Sequence, residues 1–160
     1  MTPEVALRPA HPGEAEVLAE ISRRAFDSDI AVGAPGPGGP PGYDTPQWQA
    51  EMMAAGDYHA ITADAALAGG AIVFEMGPGH FQLGRLFLDP QWHRHGIGKQ
   101  VMALLFAAYP QARRWALDTP VWNHRTRRFY ESLGFVAIGE RRELGGPNLV
   151  LYEKRMGGEV

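Results

Sequence analysis

Between Trp92 and Met102 the chain reads WHRHGIGKQVM, setting His93, Arg94, His95, Gly96, Gly98 and Lys99 at the mouth of an apolar run. Val101, Leu104, Leu105 and Ala108 then recur at helical spacing, so the cluster is the entrance to a helix. The first amides of a helix lack internal partners, and its dipole adds partial positive charge there. Gly96 and Gly98 place no Cβ in the way of a ligand, Ile97 lies between them, and Arg94 and Lys99 add full charges. This chemistry suits an anion, with a pyrophosphate as the natural size. The phosphate loop of nucleoside triphosphatases is excluded, because Lys99 is followed by Gln100 and the upstream glycine is absent. A dinucleotide fingerprint fails at Val101, which stands where its third glycine belongs. His93 and His95 could begin a metal site, but no third ligand follows at useful spacing and no metal is expected.

These residues need a scaffold, and the chain supplies an alternating one. EVALRPA reads as a strand, and PGEAEVLAEISRRAF as a helix with Val17, Ile21 and Ala25 on its apolar stripe, flanked by Leu18. Residues 33–42, GAPGPGGPPG, are almost wholly Gly and Pro, which predicts an irregular surface loop beside a site. A second helix begins at Thr45-Pro46. Short strands follow at YHAITAD, around Gly70–Met76 and at FQLGRLFL, the last ended by Asp89-Pro90. After the glycine-flanked helix come the strand RRWALDT, the helix HRTRRFYESLG and an antiparallel pair around Gly145-Gly146-Pro147. The order β-α-α-β-β-β-α-β-α-β-β predicts an α/β layer architecture with a mixed sheet in one domain spanning 1–160.

Composition narrows the function classes. With 160 residues, 45% hydrophobic and 21% charged, the chain can bury a substantial core. The absence of cysteine removes disulfide and thiolate chemistry. The apolar run VMALLFAAY is well short of the roughly 18–20 residues that span a bilayer, and MTPEVALRPA has no apolar signal core. A cytoplasmic protein with no membrane association is expected. Net charge is −3, yet residues 1–90 balance to −8 and residues 91–142 to +6. That asymmetry fits an anionic ligand held locally, although Arg113-Arg114, Arg127-Arg128 and Arg141-Arg142 each read, taken alone, more readily as solvated surface pairs. Nucleic acid is a poor partner for a net-acidic chain without interleaved aromatic and basic residues.

LFLDPQWHRHGIGKQVM, followed by N-x5-FYESLGF from Asn123 to Phe135, resembles the GNAT acetyltransferase superfamily. The resemblance runs through residues 70–140 in order and spacing. It departs at His93, where the family usually has Gln or Arg. The resemblance implies a single domain with a mostly antiparallel mixed sheet of six to seven strands and about four helices. It implies acetyl-CoA as acyl donor, with Leu86, Phe87 and Leu88 pairing the pantetheine arm and His93 to Lys99 gripping the pyrophosphate. Asn123 would bond the cofactor arm, or cap the helix that follows, and Tyr130 would be the general acid for the departing thiolate. The Leu88 amide would polarise the thioester carbonyl. The glutamate that many relatives carry on the FQLGRLFL strand is missing, leaving Glu75, His80 and His124 as candidate bases, Glu75 first. The acceptor side would fall to the Gly/Pro loop, Tyr43, Asp44 and Trp48, with Met52 and Met53 behind them. Asp27, Asp29 and Asp44 would favour a cationic amine. The implied activity is N-acetylation of a primary amine on a small molecule or peptide by direct attack in a ternary complex. A non-catalytic acyl-CoA sensor on the same fold is the alternative, and a homodimer through the C-terminal strand pair is the assembly such proteins suggest.

Overall fold

The computed structural model describes residues 2–157; Met1 and residues 158–160, the ends of the expected domain span, lie outside the described residues. The elements follow the expected order: β1 (Val5–Pro9), α1 (Ala15–Asp27), α2 (Pro46–Ala55), β2 (Asp57–Ala63), β3 (Ala66–Gly77), β4 (His80–Leu88), α3 (Ile97–Ala108), β5 (Arg114–Pro120), α4 (His124–Ser132), β6 (Val136–Arg141) and β7 (Leu149–Arg155). The seven strands form one sheet in the order β1-β2-β3-β4-β5-β7-β6, antiparallel everywhere except between β4 and β5. The connection through α3 is the long crossover that a parallel pair requires.

Helices cover both faces of the sheet. On one face α1 and α2 close over a core of Leu18, Ile21, Ala25, Tyr58, Ile72 and Phe87. On the other, Ile97, Val101, Met102 and Leu105 of α3 pack on Phe81, Leu83, Trp115 and Leu117, with Tyr130 and Phe135 at the margin. Two expected stripes are shifted. Val17 is 45% exposed and Leu104 37%, while Leu18 and Met102 are fully buried in their place. A three-to-four residue period fixes a helix but leaves its apolar centre uncertain by one position, and the helix's packing against the sheet decides which residue is buried.

The strand β4 is not regular. Its register against β3 slips where Ile72 pairs with Arg85 and Val73 with Leu83, so Gly84 is a bulge. An extra residue reverses the alternation of side chains. Phe81 and Leu83 therefore point to the α3 face, whereas Phe87, beyond the bulge, points to the α1 face. At the opposite edge of the sheet every residue of β6 is exposed, including Val136 and Ile138.

Candidate active site

The parallel strands β4 and β5 pair only at His80–Arg114, Phe81–Trp115 and Gln82–Ala116. Past Gln82 they continue without a ladder and diverge. The remaining pairing shows which backbone groups face the opening. The Asp89 amide donates to the Ala68 carbonyl at 2.7 Å, and Phe87 and Leu88 lie opposite Gly70 and Gly69. Residues of an antiparallel ladder alternate between facing their partner and facing away. The backbone of Phe87 is therefore taken up by β3, while Leu86 and Leu88 turn their N–H and C=O groups to the gap. This corrects the expectation for Phe87, which contributes only its side chain to the cleft wall. The cleft measures about 1030 Å³ and is lined by Leu86, Leu88, His93, Asn123, Tyr130 and residues 34–41 of the Gly/Pro loop.

Below the cleft, α3 begins at Gly96, held at φ 72°. The first intrahelical return is the Gln100 amide on the Gly96 carbonyl at 3.4 Å, so the amides of Ile97, Gly98 and Lys99 are without helix partners. The two glycines serve different ends. Gly96 supplies a left-handed residue with open space around it, whereas a Cβ on Gly98 would meet Phe129 Cζ at 3.1 Å. Gly98 thus lets α4 approach α3. That approach builds a second recess of about 480 Å³, lined by Lys99, His124, Arg125, Arg128 and Phe129. Arg125 and Arg128 carry no distinct signal in the sequence, where they read as part of a solvated basic face.

His93 is engaged elsewhere than expected. Its Nε2 donates to the Leu88 carbonyl at 3.1 Å, tying the loop back to the end of β4. Burial pushes its pKa down, and the nearby Arg125 guanidinium acts in the same direction. A neutral imidazole bonded to the strand positions the loop, and it leaves the helix-start amides and Lys99 as the groups open to an anion. Arg94, at φ 67°, and His95 are exposed on the turn before the helix.

Tyr130 and Asn123 both line the cleft. The Tyr130 ring packs between Phe129 and Phe135, with ring centroids 5.0 and 5.6 Å away, and burial pushes the phenol pKa up. Its hydroxyl makes no hydrogen bond with the described residues and is protonated at neutral pH, as a proton donor must be. Asn123 is 4% exposed and caps α4, its Oδ1 accepting from the Thr126 amide at 3.1 Å. Its amide group remains as a donor toward the cleft, so cap and ligand roles are compatible.

Glu75 is not brought to this site. It is exposed on β3 opposite Phe81, while the gap lies at Leu86 and Leu88, roughly 20 Å along the strand at 3.3 Å per residue. His80 sits beside it and bonds Arg114 at 2.8 Å, and His124 belongs to the basic recess. Tyr43, Asp44 and Trp48 are likewise outside the cleft lining. Tyr43 donates to Asp27 at 2.9 Å, Asp44 is exposed, and Trp48 packs on the α1 core and stacks on Arg85, whose Cζ is 4.0 Å from its ring centroid. Met52 and Met53 join the same core. Among the described residues the acidic and basic groups that do line the cleft are Asp29, Arg85, His93, Asp118, Arg125, Arg141 and Glu143. Of these the sequence singles out His93 and Asp29, and it reads Arg141 as half of a surface pair. No cluster of three potential metal ligands occurs among the described residues, and no described helix is long and apolar enough to cross a membrane.

Residues 19–135, nearly three quarters of the chain, match the model of the acetyltransferase (GNAT) family. A 74-residue segment is 32% identical to the uncharacterized protein YrkN of Bacillus subtilis (strain 168); it covers 46% of this chain and 40% of that relative's length. Among solved structures, an acetyltransferase from Thermus thermophilus superposes with a TM-score of 0.77 at 17% identity, covering 98% of this chain and 100% of that one. The PaiA N-acetyltransferase of Thermoplasma acidophilum, solved in complex with coenzyme A, gives 0.71 at 16% identity, covering 95% and 99%. At such identities the structures bear on the fold.

Proposed function

Because the chain belongs to the GNAT acetyltransferase family, we propose that it moves the acetyl group of acetyl-CoA to a primary amine by direct attack in a ternary complex. One observation carries the reading. The backbone of Leu86 and the N–H of Leu88, which no neighbouring strand takes up, lead through a single cleft that also holds Tyr130 to the free amides at the start of α3. A pantetheine arm offers amides to pair with such a strand edge, and a pyrophosphate suits such a helix start.

The roles follow from the groups available. Leu86 holds the arm, the amides of Ile97 to Lys99 hold the pyrophosphate, and Asn123 donates to the arm from its cap position, while the Leu88 carbonyl stays with His93. The Leu88 N–H stabilises the charge that builds on the thioester oxygen during attack. As the tetrahedral intermediate collapses, the C–S bond breaks and Tyr130 passes its proton to the leaving sulfur. The amine's proton leaves to an acceptor other than Glu75. A non-catalytic acyl-CoA sensor is the second reading, favoured by the lack of a carboxylate on β4.

Calorimetry with acetyl-CoA tests the shared premise. Micromolar binding is expected, and at a hundredfold excess over Kd it should stabilise the protein by about 2.7 kcal/mol, a rise of roughly 5–10 °C in Tm. Absence of binding overturns both readings. With an accepting amine in hand, Tyr130→Phe should lower kcat by roughly a hundredfold while leaving acetyl-CoA affinity nearly unchanged. Unaltered turnover removes Tyr130 as the acid.

A further inference from the structure

Four basic side chains line the large cleft, and three of them are accounted for. Arg125 pairs with Asp29 at 3.3 Å, Arg141 pairs with Asp118 at 3.1 Å and with Glu143 at 2.9 Å, and His93 is bonded to Leu88. Arg85 is the exception. Among the described residues it has no carboxylate partner; its Nη2 donates to the Pro41 carbonyl at 2.7 Å, and its Nη1 is shielded from solvent without any acceptor. Burial lowers its pKa to about 10, with Tyr58 and Asp118 pulling the other way. A half-buried guanidinium with an unused donor suits a ligand anion, and a carboxylate is the group that its planar fork fits.

The fold says what shares this site. The bulge at Gly84 sets Arg85 on the same face as Phe87, toward α1, α2 and the Gly/Pro loop, and away from Leu86 and Leu88. On β5, Trp115 and Leu117 point into the α3 core, which turns Asp118 to that same α1 side. Arg85 and Asp118 therefore flank the gap on its acceptor side, opposite in charge and both on the cleft wall. Among the described residues Asp118 is held by its half-exposed pair with Arg141, an interaction easily exchanged for an amine.

Resting on the acetyltransferase reading above, we propose that the acceptor is an amine that also carries a carboxylate, as an amino acid or an acidic peptide end does, with Arg85 receiving the carboxylate and Asp118 the ammonium. The competing account makes Arg85 a structural pin for the Gly/Pro loop, which would give no preference among ligands of equal size.

The test compares N-acetyl amino acids with their primary amides, which match in size and differ in charge. Calorimetry on the CoA-saturated protein, over small, aliphatic, aromatic and acidic side chains, should find at least one free acid bound about tenfold or more tighter than its amide. Arg85→Gln should abolish that difference and Arg85→Lys should retain part of it, with CoA affinity unchanged in both variants as the check on folding. Equal binding of acids and amides, no binding of either, or a preference that survives Arg85→Gln overturns the proposal. Failure of the wild-type protein to bind CoA instead overturns the parent reading, and the same acid-amide comparison run without CoA still judges Arg85.

Discussion

Asp29 carries a carboxylate whose charge is costly where the fold holds it. Its acidic character is plain, but nothing in the local text distinguishes it from Asp27 or Asp44. The fold separates them: Asp29 lines the cleft beneath the Gly/Pro loop with its side chain 14% exposed, and burial raises its pKa to about 6, partly opposed by Arg125. The folded value lies above the unfolded one of about 3.9, so the folded state binds the proton more tightly. The resulting stability is complete below the unfolded pKa and is lost as pH rises through about 6. At neutral pH the free protein thus holds a poorly solvated carboxylate. Asp29→Asn should raise Tm near pH 8 and make little difference near pH 4; an equal gain at both values would place the effect elsewhere. His93 has the opposite sign. Its pKa is lowered by burial, so its contribution is present above the ordinary histidine value and is lost as pH falls below it. Glu75 fails as a base for a related reason: adjacency of strands in sequence says nothing about which end of a strand reaches the gap.

At the scale of elements, the clearest lesson lies where α3 begins. Spacing alone makes Gly96 and Gly98 equivalent, both as openings for an anion. Only Gly96 has a backbone demand, and Gly98 is required by a ring on α4, whose approach no local pattern announces. Gly98→Val should crowd Phe129, displace α4 together with Tyr130, and cost about 1–3 kcal/mol in urea unfolding, with a fall in kcat. Gly96→Ala meets nothing within 4 Å. Its cost should be confined to the left-handed backbone, about 1 kcal/mol. If the two variants behave alike in both stability and turnover, the α3–α4 contact is not what Gly98 serves. The order of elements was legible because periodicity, caps and turn residues are local; the Thr45-Pro46 start of α2 is one case, with Thr45 accepting from the Trp48 amide at 3.3 Å. The bulge at Gly84 was not legible. It is fixed by how β3 and β4 register, and it decides that Arg85 faces the acceptor side.

Across the whole molecule, charge is distributed against its net sign. The chain carries −3 overall, yet the region that builds the helix start and the basic recess carries +6. The fold concentrates this further, gathering Lys99 from α3 with His124, Arg125 and Arg128 from α4 around one recess. Arg125 also reaches the cleft and pairs there with Asp29, so its charge is shared between the two cavities. A ligand bearing both a pyrophosphate and a further phosphate should therefore bind through screened surface electrostatics, over distances comparable with the Debye length of about 10 Å at 0.1 M salt. Acetyl-CoA affinity should fall as salt rises, and dephospho-CoA, with one phosphate fewer, should show a shallower dependence. Lys99→Ala and Arg128→Ala should each weaken CoA binding by roughly 3- to 10-fold at low salt, on the order of 1 kcal/mol. Their effect should shrink at high salt, where a packing defect would persist. An affinity for CoA that does not respond to salt would mean that uncharged contacts along β4 and the helix amides supply the binding, and that the basic recess is only a solvated face.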